Sequence, residues 1–138
     1  MQVEISHLPK KVSSSDRVAN MLHAVLAVEN EIDQNKEHFW AIGVNSSFEV
    51  QYLELVSLGD LMTSIVHPRE VFRMAALKGV YAIMFGHNHP SGDCKPSDPD
   101  AKITKKLVSA GNILGIEVMD HVIIGRDCHF SFNDMGLL

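Results

Sequence analysis

The sequence is poor in the features that usually give a protein's class away. It has two cysteines, Cys94 and Cys128, with no Cys-x-x-Cys and no paired spacing, so two free thiols are expected rather than a disulfide. No apolar run approaches the ~18 residues of a membrane span. Met1 to Lys10 lacks a basic stretch followed by an apolar core, which argues against a secretory signal and makes the cytoplasm the expected location. There is no internal repeat, low-complexity tract or linker, and a chain of 138 residues is expected to form one domain with a sizeable core. A formal net charge of −5 argues against a broad nucleic-acid surface while leaving room for a local basic patch. The clustered bases Lys102, Lys105 and Lys106 read as the solvated face of a helix. Neither His-Glu-x-x-His nor the His-x-Glu with Pro-Cys-x-x-Cys of zinc deaminases is present.

The patterning that is present places the elements. Residues 1 to 12 read as an extended lead-in. The stripe Val18, Met21, Leu22, Val25, Val28 and Ile32, with Ser13 to Ser15 as cap candidates, predicts a helix over about residues 14–32. Two strands follow at 38–45 and 48–58, joined by an Asn45-Ser-Ser47 turn. Pro68 suits a first helical position and Gly79 a helix end, predicting a helix between them. The unbroken apolar run Val80 to Phe85 suits a central strand covered on both faces. A helix over about 98–114 and strands at 118–124 and 128–132 complete a mixed sheet with helices on its faces.

The informative stretch runs from His87 to Asp100, directly after that central strand. Residues i and i+2 of an extended chain face the same side, so His87 and His89 can converge on one ion while Asn88 points away. Taken alone, such a pair is an ordinary polar loop. Asp100 changes the reading. With Ser97 or Asp98 as cap and Pro99 in the first turn, Asp100 heads the stripe Ile103, Leu107, Ala110 and Leu114. A lone carboxylate on a buried face is costly without a partner. A metal ion held by His87, His89 and Asp100 removes that cost, and zinc accepts this donor set. Three protein ligands leave a fourth position for water, as in a catalytic site.

These residues match a known pattern. His87-x-His89 followed after seven residues by Ser97-x-x-Asp100 resembles the JAMM (MPN+) metallopeptidase motif at every specified position. His-Asn-His-Pro-Ser-Gly at 87–92, Pro68-Arg69-Glu70 and Asp120-His121 closely resemble the RadC branch of that family. The similarity runs from about Glu37 to the C-terminus, making 37–138 a metal-binding core and 1–36 an N-terminal extension with one helix. The resemblance implies a cytidine deaminase-like α/β/α fold, one zinc ion and hydrolysis of a peptide or isopeptide bond in a peptide or protein substrate. It assigns His87, His89 and Asp100 as ligands, Ser97 as a donor to the developing oxyanion, and a glutamate at the start of the first sheet strand as the base.

Glu37 matches that glutamate best, ahead of Glu70, in the first turn of a predicted helix, and Glu54, within a strand. Asp120-His121 could orient a ligand, although a structural hydrogen bond at a strand start is the plainer reading. Cys94 sits in the motif loop but is surplus to a complete ligand set. His7, His23, His38, His67 and His129 share no spacing. The competing functional reading is a DNA-associated or regulatory module, after the DNA-repair label RadC-type proteins carry. A helix-hairpin-helix region usually precedes the metal domain in that branch, and the residues before Glu37 are too few for one. The same domain used as a catalytically dead scaffold sits badly with a motif filled at every position.

Overall fold

The computed structural model describes residues 1–3, 10–59 and 66–138. Its helices are α1 (Ser15–Ala27), α2 (Glu31–Gln34), α3 (Pro68–Lys78) and α4 (Asp98–Leu114), and its strands β1 (Glu37–Val44), β2 (Val50–Gly59), β3 (Ala82–Asn88), β4 (Glu117–Ile124) and β5 (His129–Ser131). Among the described residues these strands form one mixed sheet in the order β2-β1-β3-β4-β5. β3 lies at its centre, antiparallel to β1 and parallel to β4. His7 and part of the expected lead-in fall outside the described residues.

Every residue of β3 is buried, as an apolar run without alternation requires of a strand covered on both faces. On one face α1 lays Val18, Met21, Leu22 and Val25 over Trp40, Ile42, Met84 and Val122. Leu22 sits so closely over Gly86 that a side chain there would collide with it. On the other face α3 and α4 bring Val71, Phe72, Ala75 and Leu107 onto Phe39, Ala41, Ile83 and Phe85. Each Val, Leu, Ile, Phe or Met among them, fully buried, is worth about 1.5–3 kcal/mol. The fold is thus α/β/α, a five-stranded mixed sheet flanked by helices, as the resemblance implies. Lys102, Lys105 and Lys106 are exposed on α4. Among the described residues no helix is long and apolar enough to cross a membrane.

The structure corrects the first helix. The apolar spacing continues through Val28 and Ile32, yet α1 stops at Ala27 and those two side chains are 84% and 75% exposed. Asn30 is the cause. Its side chain accepts the Asp33 N–H at 2.8 Å and starts the separate turn α2. The stripe of α4 is also corrected: its buried positions are Asp100, Thr104, Leu107 and Gly111, while Leu114 is 55% exposed. The central strand starts later than the apolar run and runs on through His87 and Asn88. Pairing with β1 and β4 sets those limits, not hydropathy.

The two cysteines, expected as free thiols, are paired. The loop after β3 folds back over the β4–β5 turn, where the Arg126 N–H donates to the Gly92 carbonyl at 3.0 Å. Gly125 packs so tightly against Gly92 that no side chain fits between them. Cys94 and Cys128 meet at that crossing with their Cα atoms 6.1 Å apart, a spacing that suits a disulfide. A contact between residues 34 apart in sequence leaves no trace in local spacing, hence the different expectation.

Candidate metal centre

Three elements deliver the site. β3 carries His87 as its penultimate residue, with His89 just beyond on the same side, and α4 delivers Asp100 from its first turn. Ser97 caps α4 by accepting the Asp100 N–H at 3.2 Å, and the Asp100 carboxylate accepts the Ser97 N–H at 2.8 Å. This reciprocal capping box fixes the carboxylate at the sheet end. His87 Nε2 lies 3.1 Å from Asp100 Oδ1, His89 Nε2 3.0 Å from Oδ2, and the two Nε2 atoms 3.1 Å from each other. Side-chain exposure rises from 0% at His87 to 4% at Asp100 and 14% at His89, so the centre opens to solvent on the His89 side. Ser97 stands exposed at that opening.

The ring nitrogens facing away are occupied. His89 Nδ1 lies 2.8 Å from the Asp93 carbonyl, which can only accept, so Nδ1 carries the proton and Nε2 is bare when the ring is neutral. His87 Nδ1 lies 2.7 Å from His121 Nε2, and His121 Nδ1 lies 2.5 Å from Thr104 Oγ1. Phe132 stacks on His121 at 4.9 Å, while Phe39 and Phe85 meet it edge-on.

Burial alone would raise the Asp100 carboxyl, but the His87 and His89 rings at hydrogen-bonding distance outweigh it and hold the carboxyl well below its usual range. The Asp100 hydrogen bond in turn raises His89, with a smaller push from the charge of Glu37. Burial drives His121 well below the usual imidazole value. Tetrahedral zinc with bonds of about 2.0–2.1 Å sets its ligand atoms about 3.3 Å apart. The two Nε2 atoms, 3.1 Å apart, come close to that figure, and each ring lies 3.0–3.1 Å from a different oxygen of the Asp100 carboxylate. Two imidazoles and a buried carboxylate are also the donor types zinc prefers. Among the described residues this is the one group of three or more His, Cys, Asp or Glu whose atoms could hold a metal ion.

The glutamates separate clearly. Glu37 opens β1, two residues before the Phe39 that pairs with His87 and so on the same face of the strand, and its charge is felt at His89. Glu70 is drawn outward by Arg69 and Arg73, each 3.7 Å away. Glu54 is buried beside Ala41, midway along the edge strand β2 and away from the sheet end that bears the ligands. His23 lines a cavity that also takes in His89 but is not among the converging ligand atoms, His38 turns its Nδ1 to the Lys36 carbonyl, and His129 pairs with Asp16. Cys94 is a disulfide partner beside Asp93, which orients His89.

Two residues beside the ligands carry weaker signals in the sequence. Thr104 lies four residues after Asp100 on the buried side of α4, where apolar spacing does not mark a hydroxyl. His121 is expected to be structural, whereas its Nε2 meets a ligand ring.

Comparison with known proteins agrees with this geometry. The chain matches the model of the RadC-like JAB domain over residues 12–137. A UPF0758 protein of Listeria welshimeri is 50% identical over 101 residues, covering 73% of this chain and 45% of the relative. A UPF0758 protein of Alkaliphilus metalliredigens is 44% identical over 128 residues, covering 93% of this chain and 53% of the relative. One from Caldanaerobacter subterraneus is 46% identical over 125 residues, covering 91% and 52%. The chain thus spans about half the length of the curated relatives it matches.

Proposed function

From the premise that this chain belongs to the RadC-like JAB domain family, we propose that it is a zinc-dependent hydrolase cutting a peptide or isopeptide bond in a peptide or protein substrate. The observation that carries this reading is the convergence of His87, His89 and Asp100 at the open end of the sheet. When bound there, zinc supplies Lewis acidity and lowers the pKa of a coordinated water to about 7.

The chain's own residues supply the rest. His87 and His89 offer bare Nε2 atoms and Asp100 a carboxylate. Phe39 and Phe85 line the buried side, and a low-dielectric wall strengthens charge interactions in the site. Glu37, at the start of β1, takes the proton of the attacking water and returns it to the leaving amine. The Ser97 oxygen already accepts the Asp100 N–H, which leaves its own O–H to donate to the oxyanion at the mouth of the site.

The test is a panel of peptides and lysine isopeptide conjugates incubated with the zinc-loaded protein. Wild type is expected to cleave at least one class. Glu37→Gln should keep its zinc and lose about 10²- to 10⁴-fold in turnover. Wild-type turnover in that variant would remove Glu37 from the mechanism, and no cleavage by wild type across the panel would count against the hydrolase.

A further inference from the structure

We propose that His121, anchored by Thr104, is a positioning residue that dictates which nitrogen His87 presents to the metal. The inference rests on the reading of His87, His89 and Asp100 as a metal centre.

Proton accounting along one chain of contacts carries it. Thr104 Oγ1 lies 2.8 Å from the backbone carbonyl of Asp100, one helical turn back. A carbonyl only accepts, so the single hydroxyl proton of Thr104 is committed there. The same oxygen lies 2.5 Å from His121 Nδ1 and must accept from it, so Nδ1 of His121 carries a proton. His121 is fully buried among Phe39, Phe85 and Phe132, where an imidazolium without a carboxylate partner would be costly. With Nδ1 protonated, the neutral ring has a bare Nε2. That atom lies 2.7 Å from His87 Nδ1, which therefore donates, leaving Nε2 of His87 bare and aimed at Asp100.

The chain closes on itself. It starts at the carbonyl of Asp100, passes through Thr104, His121 and His87, and returns to the carboxylate of Asp100. The helix backbone sets its direction, since a carbonyl cannot reverse its role. Without Thr104 as acceptor, His121 can carry its proton on Nε2 and donate to His87 Nδ1. His87 would then hold a proton on Nε2, bonded to Asp100, in the place a metal needs. Imidazoles that ligate metals usually give their outer N–H to a carboxylate or carbonyl. His89 does so through Asp93, and His87 differs in using a second histidine whose direction a threonine fixes.

The experiment has two readouts. In the metal-free, 15N-labelled protein at pH 8.5, long-range 1H–15N correlation spectra report which nitrogen of each imidazole is protonated. His87 is expected as the Nδ1–H form, and finding the Nε2–H form in wild type would overturn the proposal even if no variant folded. Zinc competition against a chromophoric chelator is the second readout. Thr104→Val should mix the His87 forms and weaken zinc about 10- to 100-fold, the range for losing an outer partner of a ligand. Thr104→Ser, which keeps the hydroxyl, should restore both. Wild-type zinc affinity in Thr104→Val, with wild type itself binding zinc, overturns the role of His121 alone. A wild type that takes up no zinc overturns the metal centre, and this role with it.

Discussion

Asp120 and His121 are neighbours on β4, both buried, and they face opposite sides of the sheet. Asp120 sits on the α1 side, in a network closed within the protein. Its carboxylate accepts the His121 N–H at 2.7 Å, the Asn133 N–H at 3.0 Å and the Ser131 hydroxyl at 2.6 Å. His121 belongs to the α4 side, in a chain of contacts that leads through His87 to ligand atoms gathered closely enough to hold a metal ion. Both clusters are polar groups set in an apolar core. The first satisfies itself and ties β5 and the following turn to β4. The second turns its ligand atoms toward one point. A buried polar group is therefore no sign of function in itself; the sign is a cluster whose remaining lone pairs converge.

The comparison breaks first at Asp120. Asp120→Ala strands the His121 and Asn133 N–H groups and the Ser131 hydroxyl, and is expected to cost about 2–4 kcal/mol in urea unfolding. Zinc stoichiometry should be unchanged, because no ligand is touched. Loss of zinc at full stability would reverse the roles assigned to the two faces.

A smaller effect sharpens the same contrast. Burial raises the Asp120 carboxyl above its ordinary 3.8, despite the hydrogen bonds it accepts. The folded chain then holds that proton more tightly than the unfolded chain. The resulting stabilisation is full below 3.8 and is lost as pH rises through the folded value. Asp120→Asn keeps the shape without the titration, so its stability should improve relative to wild type between pH 4 and pH 7. Parallel pH curves for the two proteins would mean that burial of Asp120 carries no electrostatic penalty.

How much of this was legible in the sequence follows from the range of each signal. His87 and His89 lie two apart on an extended chain, and Ser97 and Asp100 share one helical turn, so local geometry alone brings each pair together. The central strand announced itself through six apolar residues in a row, Val80 to Phe85. The end of α1 was hidden because Val28 and Ile32 continue the apolar spacing, and one asparagine cap outweighs it. Thr104 was hidden by polarity, since a stripe traced through apolar residues passes over a buried hydroxyl. His121 and the Cys94–Cys128 pair depend on the parallel register of β3 with β4 and on a loop crossing, and neither is encoded within a few residues.

The most direct test of the central claim, that the open cluster is a metal site, is the metal content of the protein purified without added metal. Inductively coupled plasma mass spectrometry on wild type and His87→Ala reads it. Near-stoichiometric zinc in wild type, absent from the variant, is the predicted result. No metal in either protein, even after incubation with zinc, would contradict it.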